Sequence, residues 1–277
     1  YTYDGSGNVS QRIDEFWDAN AQAWVNATRT QNTYDGSNRL TEEVVQQADG
    51  SGGWLNAERT RNADVDESRA RRDLAAAFRW AARLGLNEAV ANHFSLALGD
   101  GPEAPFLIQP AGRHFARVRA SDLLTIGADG TVLGGEGEPD PTARHIHGSI
   151  HRRVPGARCV LHTHMPYATA LTCLEGARLE PISQNALRFH ERVAYDDDFA
   201  GMALDDDEGE RLARALADCS VLFMANHGVT VIGPDVAEAF DRLYFLERAC
   251  EAQVLALSTG SPLRRVDAAT ARRTRDQ

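Results

Sequence analysis

The sequence predicts an α/β fold, a mostly antiparallel sheet flanked by helices, preceded by a separate β-hairpin extension. Three observations carry this. From about Asp66 onward, short apolar runs of strand length alternate with stretches of helical periodicity. Near residue 62 the composition changes, from Asn, Thr, Gly and Gln with scattered Trp and Tyr to Ala, Leu and Arg. The first segment also repeats itself at a period of roughly 30 residues, which means small units that bury an apolar face on a neighbour.

The repeat is explicit. Thr2-Tyr3-Asp4-Gly5-Ser6 returns as Thr33-Tyr34-Asp35-Gly36-Ser37, and Trp24-Val25-Asn26-Ala27-Thr28-Arg29-Thr30 as Trp54-Leu55-Asn56-Ala57-Glu58-Arg59-Thr60. Residues 1–62 are therefore read as peripheral hairpins and residues 66–277 as a second domain. In that second domain, Leu74, Phe78 and Ala81 fall at helical spacing and Gly85 stops the helix, whose Arg69, Arg71, Arg72, Arg79 and Arg83 read as a solvated face. Phe94 to Leu98 and Pro105 to Gln109 form a hairpin around Gly99-Asp100-Gly101. Leu123 to Ile126 and Thr131 to Leu133 form another around Gly127-Ala128-Asp129-Gly130. A helix from Thr142 carries the stripe Ile146, Ile150, Val154. Cys159-Val160-Leu161 is a strand that Pro166 ends, Cys219 to Met224 and Val229 to Ile232 are two more, and Asp235-x-x-Glu238 caps a long helix through Leu243, Cys250 and Val254.

Composition narrows the function. With 277 residues, 43% of them hydrophobic, the chain can bury a substantial core. A net charge of −11 argues against a nucleic-acid surface, which needs clustered Lys and Arg. The acidic run from Asp196 to Glu210 reads as a solvated loop and helix start rather than a calcium loop, because it lacks alternating ligands and a central glycine. Cys159, Cys173, Cys219 and Cys250 show no paired spacing and read as reduced core thiols, as in a cytoplasmic protein. No apolar run approaches the ~18 residues that span a bilayer, so no membrane partner is expected. The chain begins at Tyr1 rather than methionine, which leaves room for an upstream segment and keeps localisation open.

Three histidines point to chemistry. His162 and His164 lie two apart at the end of a strand, so both rings reach the same side, and His227 sits in the turn Asn226-His227-Gly228 between two strands. Three neutral imidazoles with an open fourth position suit a catalytic metal, because water or a substrate oxygen can take the vacancy.

Residues 1–60 resemble tyrosine–aspartate (YD, Rhs-type) repeats, on Tyr3-Asp4-Gly5-Ser6-Gly7-Asn8 and, less fully, Tyr34-Asp35-Gly36-Ser37-Asn38. Residues from about 66 to 258 resemble the class II aldolase/adducin-head family. The resemblance rests on the ordered motifs Asn92-His93-Phe94-Ser95, Gln109-Pro110-Ala111-Gly112, Ser121-Asp122-Leu123, Pro141-Thr142-Ala143, His162-Thr163-His164 and Asn226-His227-Gly228. It implies a three-layer α/β/α fold, a homotetramer with sites at subunit interfaces, and Zn2+, or Mn2+, Co2+ or Fe2+, on His162, His164 and His227. It also implies a Lewis-acid site that stabilises an enolate in aldol cleavage, decarboxylation, epimerisation or dehydration.

Two departures matter. Family sugar-phosphate aldolases carry a glutamate acid/base nineteen residues before the first metal histidine, and that position here is Ala143. His147, His190 and Tyr195 are the substitute candidates for proton transfer. Several small phosphate-binding donors are also replaced. His93, Ser95, Gly112, Arg113 and Thr142 are the candidate substrate contacts, with His93, Arg113 and His114 facing a carboxylate or similar anion. The expectation is a metal-dependent carbon–carbon lyase acting on a small hydroxy- or oxo-carboxylate. The alternatives are a non-catalytic scaffold like the adducin head, or a sugar-phosphate aldolase, epimerase or dehydratase.

Overall fold

The computed structural model describes residues 2–3, 9–18, 23–34, 40–48, 54–60, 67–198, 201 and 206–277. The chain divides into two units, Tyr1–Asp66 and Glu67–Gln277.

The first unit is a sheet of β1 (Thr2–Tyr3), β2 (Val9–Asp18), β3 (Ala23–Tyr34), β4 (Leu40–Ala48) and β5 (Trp54–Thr60), in sequence order. Every pairing is antiparallel. The repeated Trp24–Thr30 and Trp54–Thr60 segments fall on β3 and β5, which both pair with β4, so one repeat advances the sheet by two strands. The Asp-Gly-Ser parts of the repeat lie outside the described residues.

The second unit begins with α1 (Glu67–Leu84), β6 (His93–Ala97), β7 (Phe106–Ile108), β8 (Leu124–Ile126) and β9 (Val132–Gly134). It continues with α2 (Pro141–Arg153), β10 (Cys159–Thr163), α3 (Pro166–Thr172), α4 (Gln184–Leu187), β11 (Val193–Asp196) and α5 (Asp206–Leu216). It ends with β12 (Val221–Met224), β13 (Gly228–Gly233), α6 (Val236–Ser258) and α7 (Ala268–Arg275). The sheet order is β11-β12-β13-β10-β6-β7-β8-β9, and only β11 and β12 run parallel. Helices cover both faces, α2 and α5 on one and α1, α3 and α6 on the other, giving three layers.

Strand alternation builds the two cores. Val160, Leu222, Met224 and Ile232 point to α2 and α5, where they meet Ile146, Ile150, Leu212 and Leu216. On the opposite face Phe94 of β6 stacks on Phe78 of α1 at 4.9 Å between ring centroids, and Phe115 closes on Phe78 at 4.6 Å. Asp235 caps α6 by accepting from the Glu238 amide, as its spacing predicts.

Several expectations need correction. The arginine face of α1 is not wholly solvated: Arg71 donates to Leu123 O and to Thr125 Oγ1, each at 2.7 Å, and Arg79 to Val118 O, pinning α1 to the loop before β8. In the acidic run, Asp196 and Glu208 both bind Arg211 instead of facing water, and Asp205 lies outside the described residues. All four cysteines are free, but Cys173 is exposed rather than core. Among the described residues no helix is long and apolar enough to cross a membrane.

Candidate metal centre and its histidine chain

The centre lies where β10 ends against the turn that starts β13. β10 and β13 pair with His162 opposite Thr230 and Thr163 opposite Val229, which brings His164 beside Gly228 and His227. Gly228 is needed for this approach, since a Cβ there would lie 2.6 Å from Thr163 O and 2.8 Å from His164 Cδ2. Asn226, at φ 55°, turns the chain so that His227 faces the other two rings.

His162, His164 and His227 each offer one ring nitrogen, and these three atoms lie within 4.8 Å of one another. The Nε2 atoms of His162 and His164 are 3.2 Å apart. Two nitrogens on a tetrahedral zinc, each at about 2.0–2.1 Å, would be about 3.3 Å apart, so this pair already has ligand spacing. The outer nitrogens are held as ligands require: His164 Nδ1 lies 2.8 Å from Glu88 Oε2 and His162 Nδ1 lies 3.4 Å from Thr230 Oγ1. Burial, reinforced by the neighbouring rings, holds His162 well below the usual histidine range, and burial with His164 nearby lowers His227 to about 4. His162 and His227 are thus neutral near pH 7, which is the ligating form. The donor set therefore fits a divalent ion.

Behind the triad stands a second set of histidines. His93 on β6 is paired with His162 across the sheet, and their rings stack at 4.6 Å between centroids, 25° apart. His93 Nδ1 is 2.7 Å from His147 Nε2, His147 Nδ1 is 2.5 Å from Ser95 Oγ, and Ser95 Oγ is 2.7 Å from His151 Nε2. His151 Nδ1 lies 2.8 Å from Ala157 O. His147 and His151 are one turn apart on the α2 face turned to the sheet. Burial lowers His93 to about 3, His147 well below its usual value and His151 to about 4.

The remaining candidates are elsewhere. Ser95 is fully buried with both its contacts on α2 histidines, so the expected substrate contact is instead a link inside the fold. Arg113 is committed to Asp122, at 2.6 Å, and His114 caps the next turn by accepting from the Ala116 amide, so neither is a free anion ligand. Gly112 forms an exposed turn at φ 72°, and Thr142 donates to Asp140, the cap of α2. His190 precedes β11, at the strand end away from the triad, beside Glu191. Tyr195 points from β11 to Phe223; its hydroxyl accepts from the Leu179 amide, and burial pushes it up to about 12. Ala143 packs among Ala97, Phe106, Ile108, Leu124 and Ile126. Of the proton-transfer candidates, only His147 connects to the triad among the described residues, through His93.

Sequence reasoning missed Glu88 and Thr230. Thr230 had a signal, the single polar residue in Val229-Thr230-Val231-Ile232 and in register with His162; Glu88, 76 residues before His164, had none.

The model of the Class II Aldolase and Adducin N-terminal domain family matches residues 72–254. A Caulobacter vibrioides protein named for the class 2 aldolases is 35% identical over 197 residues, 70% of this chain and 75% of its own. Decarboxylase NovR of Streptomyces niveus is 29% identical over 68% of this chain and 70% of its own, and human beta-adducin 35% identical over 56% and 21%. Among solved structures, an aldolase II superfamily protein from Pseudomonas syringae superposes with a TM-score of 0.72 at 34% identity, covering 77% of this chain and 86% of its own. L-fuculose 1-phosphate aldolase from Glaciozyma antarctica PI12 does so with 0.68 at 25%, covering 76% and 82%. The family match leaves residues 1–71 outside it, and these comparisons give the tyrosine–aspartate resemblance no support.

Proposed function

We propose, from the premise that this chain belongs to the class II aldolase and adducin N-terminal domain family, that residues 66–277 form a divalent-metal-dependent carbon–carbon lyase. Its substrate is a small hydroxy- or oxo-carboxylate, cleaved by retro-aldol reaction or decarboxylation. The observation that carries this reading is the convergence of His162, His164 and His227, with the outer nitrogens of His162 and His164 occupied by Thr230 and Glu88. A scaffold has no chemical need for three imidazoles at ligand spacing.

His162, His164 and His227 would hold the ion, Zn2+ by its fit to three imidazoles, with Mn2+, Co2+ or Fe2+ as the other candidates. Once bound, the ion would polarise a substrate carbonyl or hydroxyl oxygen and stabilise the negative charge that develops as the bond breaks. Glu88 orients His164 and Thr230 orients His162. His93, stacked on His162, stands beside the reacting region, and His147, of the three proton-transfer candidates, is the one that hydrogen-bonds to it and so orients it. The resemblance to a decarboxylase and the loss of phosphate-loop donors favour a carboxylate over a sugar phosphate. A homotetramer, as the family resemblance implies, would let neighbouring subunits complete the site.

Purified protein is expected to carry close to one divalent ion per chain, and His164→Ala to lose it. Stoichiometric metal in that variant would refute the assignment. A second reading, a scaffold like the adducin head, is favoured by Ala143 in place of an acid/base glutamate and by the match to beta-adducin. It requires wild-type protein without tightly bound metal, so the same measurement separates the two.

A further inference from the structure

The hydrogen-bond chain behind the triad has only one consistent direction. Its far end is the Ala157 carbonyl, which can only accept, so His151 carries its proton on Nδ1. Because burial keeps His151 neutral, its Nε2 is a bare lone pair, and Ser95 must donate its single hydroxyl proton to it. Having spent that proton, Ser95 Oγ can only accept from His147, whose proton is therefore on Nδ1. His147 Nε2 is then a lone pair that accepts from His93 Nδ1–H. His93, buried and with no carboxylate in hydrogen-bond contact among the described residues, gives its one proton to that bond and is left with a lone pair on Nε2.

No other assignment satisfies all four contacts with neutral rings, since any reversal sets two lone pairs or two protons against each other. His93 Nε2 has no hydrogen-bond partner among the described residues. Nor does His93 join the set of rings whose ligand atoms lie within 4.8 Å of one another, so it stands next to the metal ligands without being one of them.

We propose that Ala157 O, His151, Ser95 and His147 act as positioning groups that lock His93 with an acceptor nitrogen toward the site, where it accepts a hydrogen bond from a substrate hydroxyl and turns away carboxylate or phosphate oxygens. The tautomer assignment stands by itself, whereas its extension to substrate rests on the metal-site reading. It reverses the expectation that His93 faces an anion: a lone pair repels a carboxylate oxygen and accepts only from a donor. The substrate group beside His93 is accordingly an alcohol, and the carboxylate of a hydroxy acid lies on another side of the site. The chain explains why a fully buried serine in β6 and two buried histidines in α2 meet between two otherwise apolar cores. A serine hydroxyl is the smallest group that accepts from one ring and donates to another.

The test is imidazole nitrogen NMR on the 15N-histidine-labelled full chain, with signals assigned by single His→Gln variants. His93, His147 and His151 are expected to show a protonated Nδ1 and a bare Nε2. A protonated Nε2 on His93 or His147 in the wild type would overturn the proposal. Ser95→Ala should convert His93 and His147 to tautomer mixtures, while Ser95→Thr, which keeps the hydroxyl, should restore the single form; a purely packing role for Ser95 would leave the tautomers unmoved by either. If Ser95→Ala does not fold, the wild-type spectrum still decides.

For the substrate step, glycolate added to zinc-loaded protein should move the His93 Nε2 signal. Oxalate, which offers chelating oxygens but no hydroxyl proton, should leave it in place. Equal shifts with both, or with neither, would reject the alcohol assignment. Failure to load zinc would instead reject the proposed function and leave the tautomer result intact.

Discussion

Gly228→Ala isolates the link between backbone packing and the metal centre. The added Cβ would sit 2.6 Å from Thr163 O and 2.8 Å from His164 Cδ2, short of the 3.4 Å of ordinary contact by about 0.8 Å and 0.6 Å. Thr163 O belongs to the end of β10, so it cannot yield like the tip of a flexible side chain; the start of β13 must move away from β10 instead. That movement separates His164 from His227, and metal–ligand distances tolerate only about 0.2 Å. Overpacking of this kind destabilises a fold by about 1–3 kcal/mol. Displacing a ligand should weaken zinc by at least the 10–100-fold seen when an orienting group is removed, or about 1.4–2.7 kcal/mol. The assay is zinc competition with a calibrated chelator, paired with urea denaturation in EDTA to read the folding cost alone. The control is Gly148→Ala, where the nearest atom is 3.2 Å away and belongs to a flexible arginine, Arg152. A Gly228→Ala protein that binds zinc within twofold of wild type would refute the reasoning.

Two more outcomes follow from the same contacts. Glu88→Gln keeps the size of the side chain but removes the charge that orients His164, so zinc affinity should fall roughly 10–100-fold with little change in urea stability; an unchanged affinity in the chelator assay would show that Glu88 is not an orienting group. Metal-free protein should lose stability as pH falls from about 6.5 toward 4. His151 in the fold is lowered to about 4 and His147 is held well below 6.5, so between those pH values the unfolded chain binds more protons than the folded one. The contribution is fully present above about 6.5 and declines by about 1.4 kcal/mol per pH unit for each such histidine. Urea midpoints at pH 8, 7, 6 and 5 measure it, and a stability that is flat from 7 to 5 would contradict the neutral buried rings.

The central strands were legible because their sequences are local: Cys159-Val160-Leu161 and Val229 to Ile232 are β-branched or apolar along their length, as strands buried on both faces must be. β11 was missed because Val193 to Asp196 is a short, half-buried edge strand whose pairing with β12 is parallel and distant. α3 is seven residues long and begins at Pro166, but its first amides are satisfied by Glu247 of α6, some 80 residues later. No local pattern announces such a cap. The histidine triad was readable for the opposite reason, since two of its members share one strand end and the third occupies a turn flanked by two strands.

The proton problem posed by Ala143 looks different once its surroundings are known. Residue 143 faces Phe106, Ile108, Leu124 and Ile126, and an ionised glutamate in that cluster would lose its hydration without a partner. One turn further along α2, His147 occupies the same helix face at a place where the sheet supplies polar partners, His93 and Ser95. The polar group of this helix has thus moved by four residues, from above β7 and β8 to above β6. A carboxylate needs a counter-charge in such an interior, whereas a neutral imidazole needs only one donor and one acceptor, and the chain ending at Ala157 supplies both. What spacing alone presented as a missing acid/base is, in three dimensions, a neutral hydrogen-bonded network in place of a charge. That substitution accounts for the buried Ser95 and for the histidine at position 93 together.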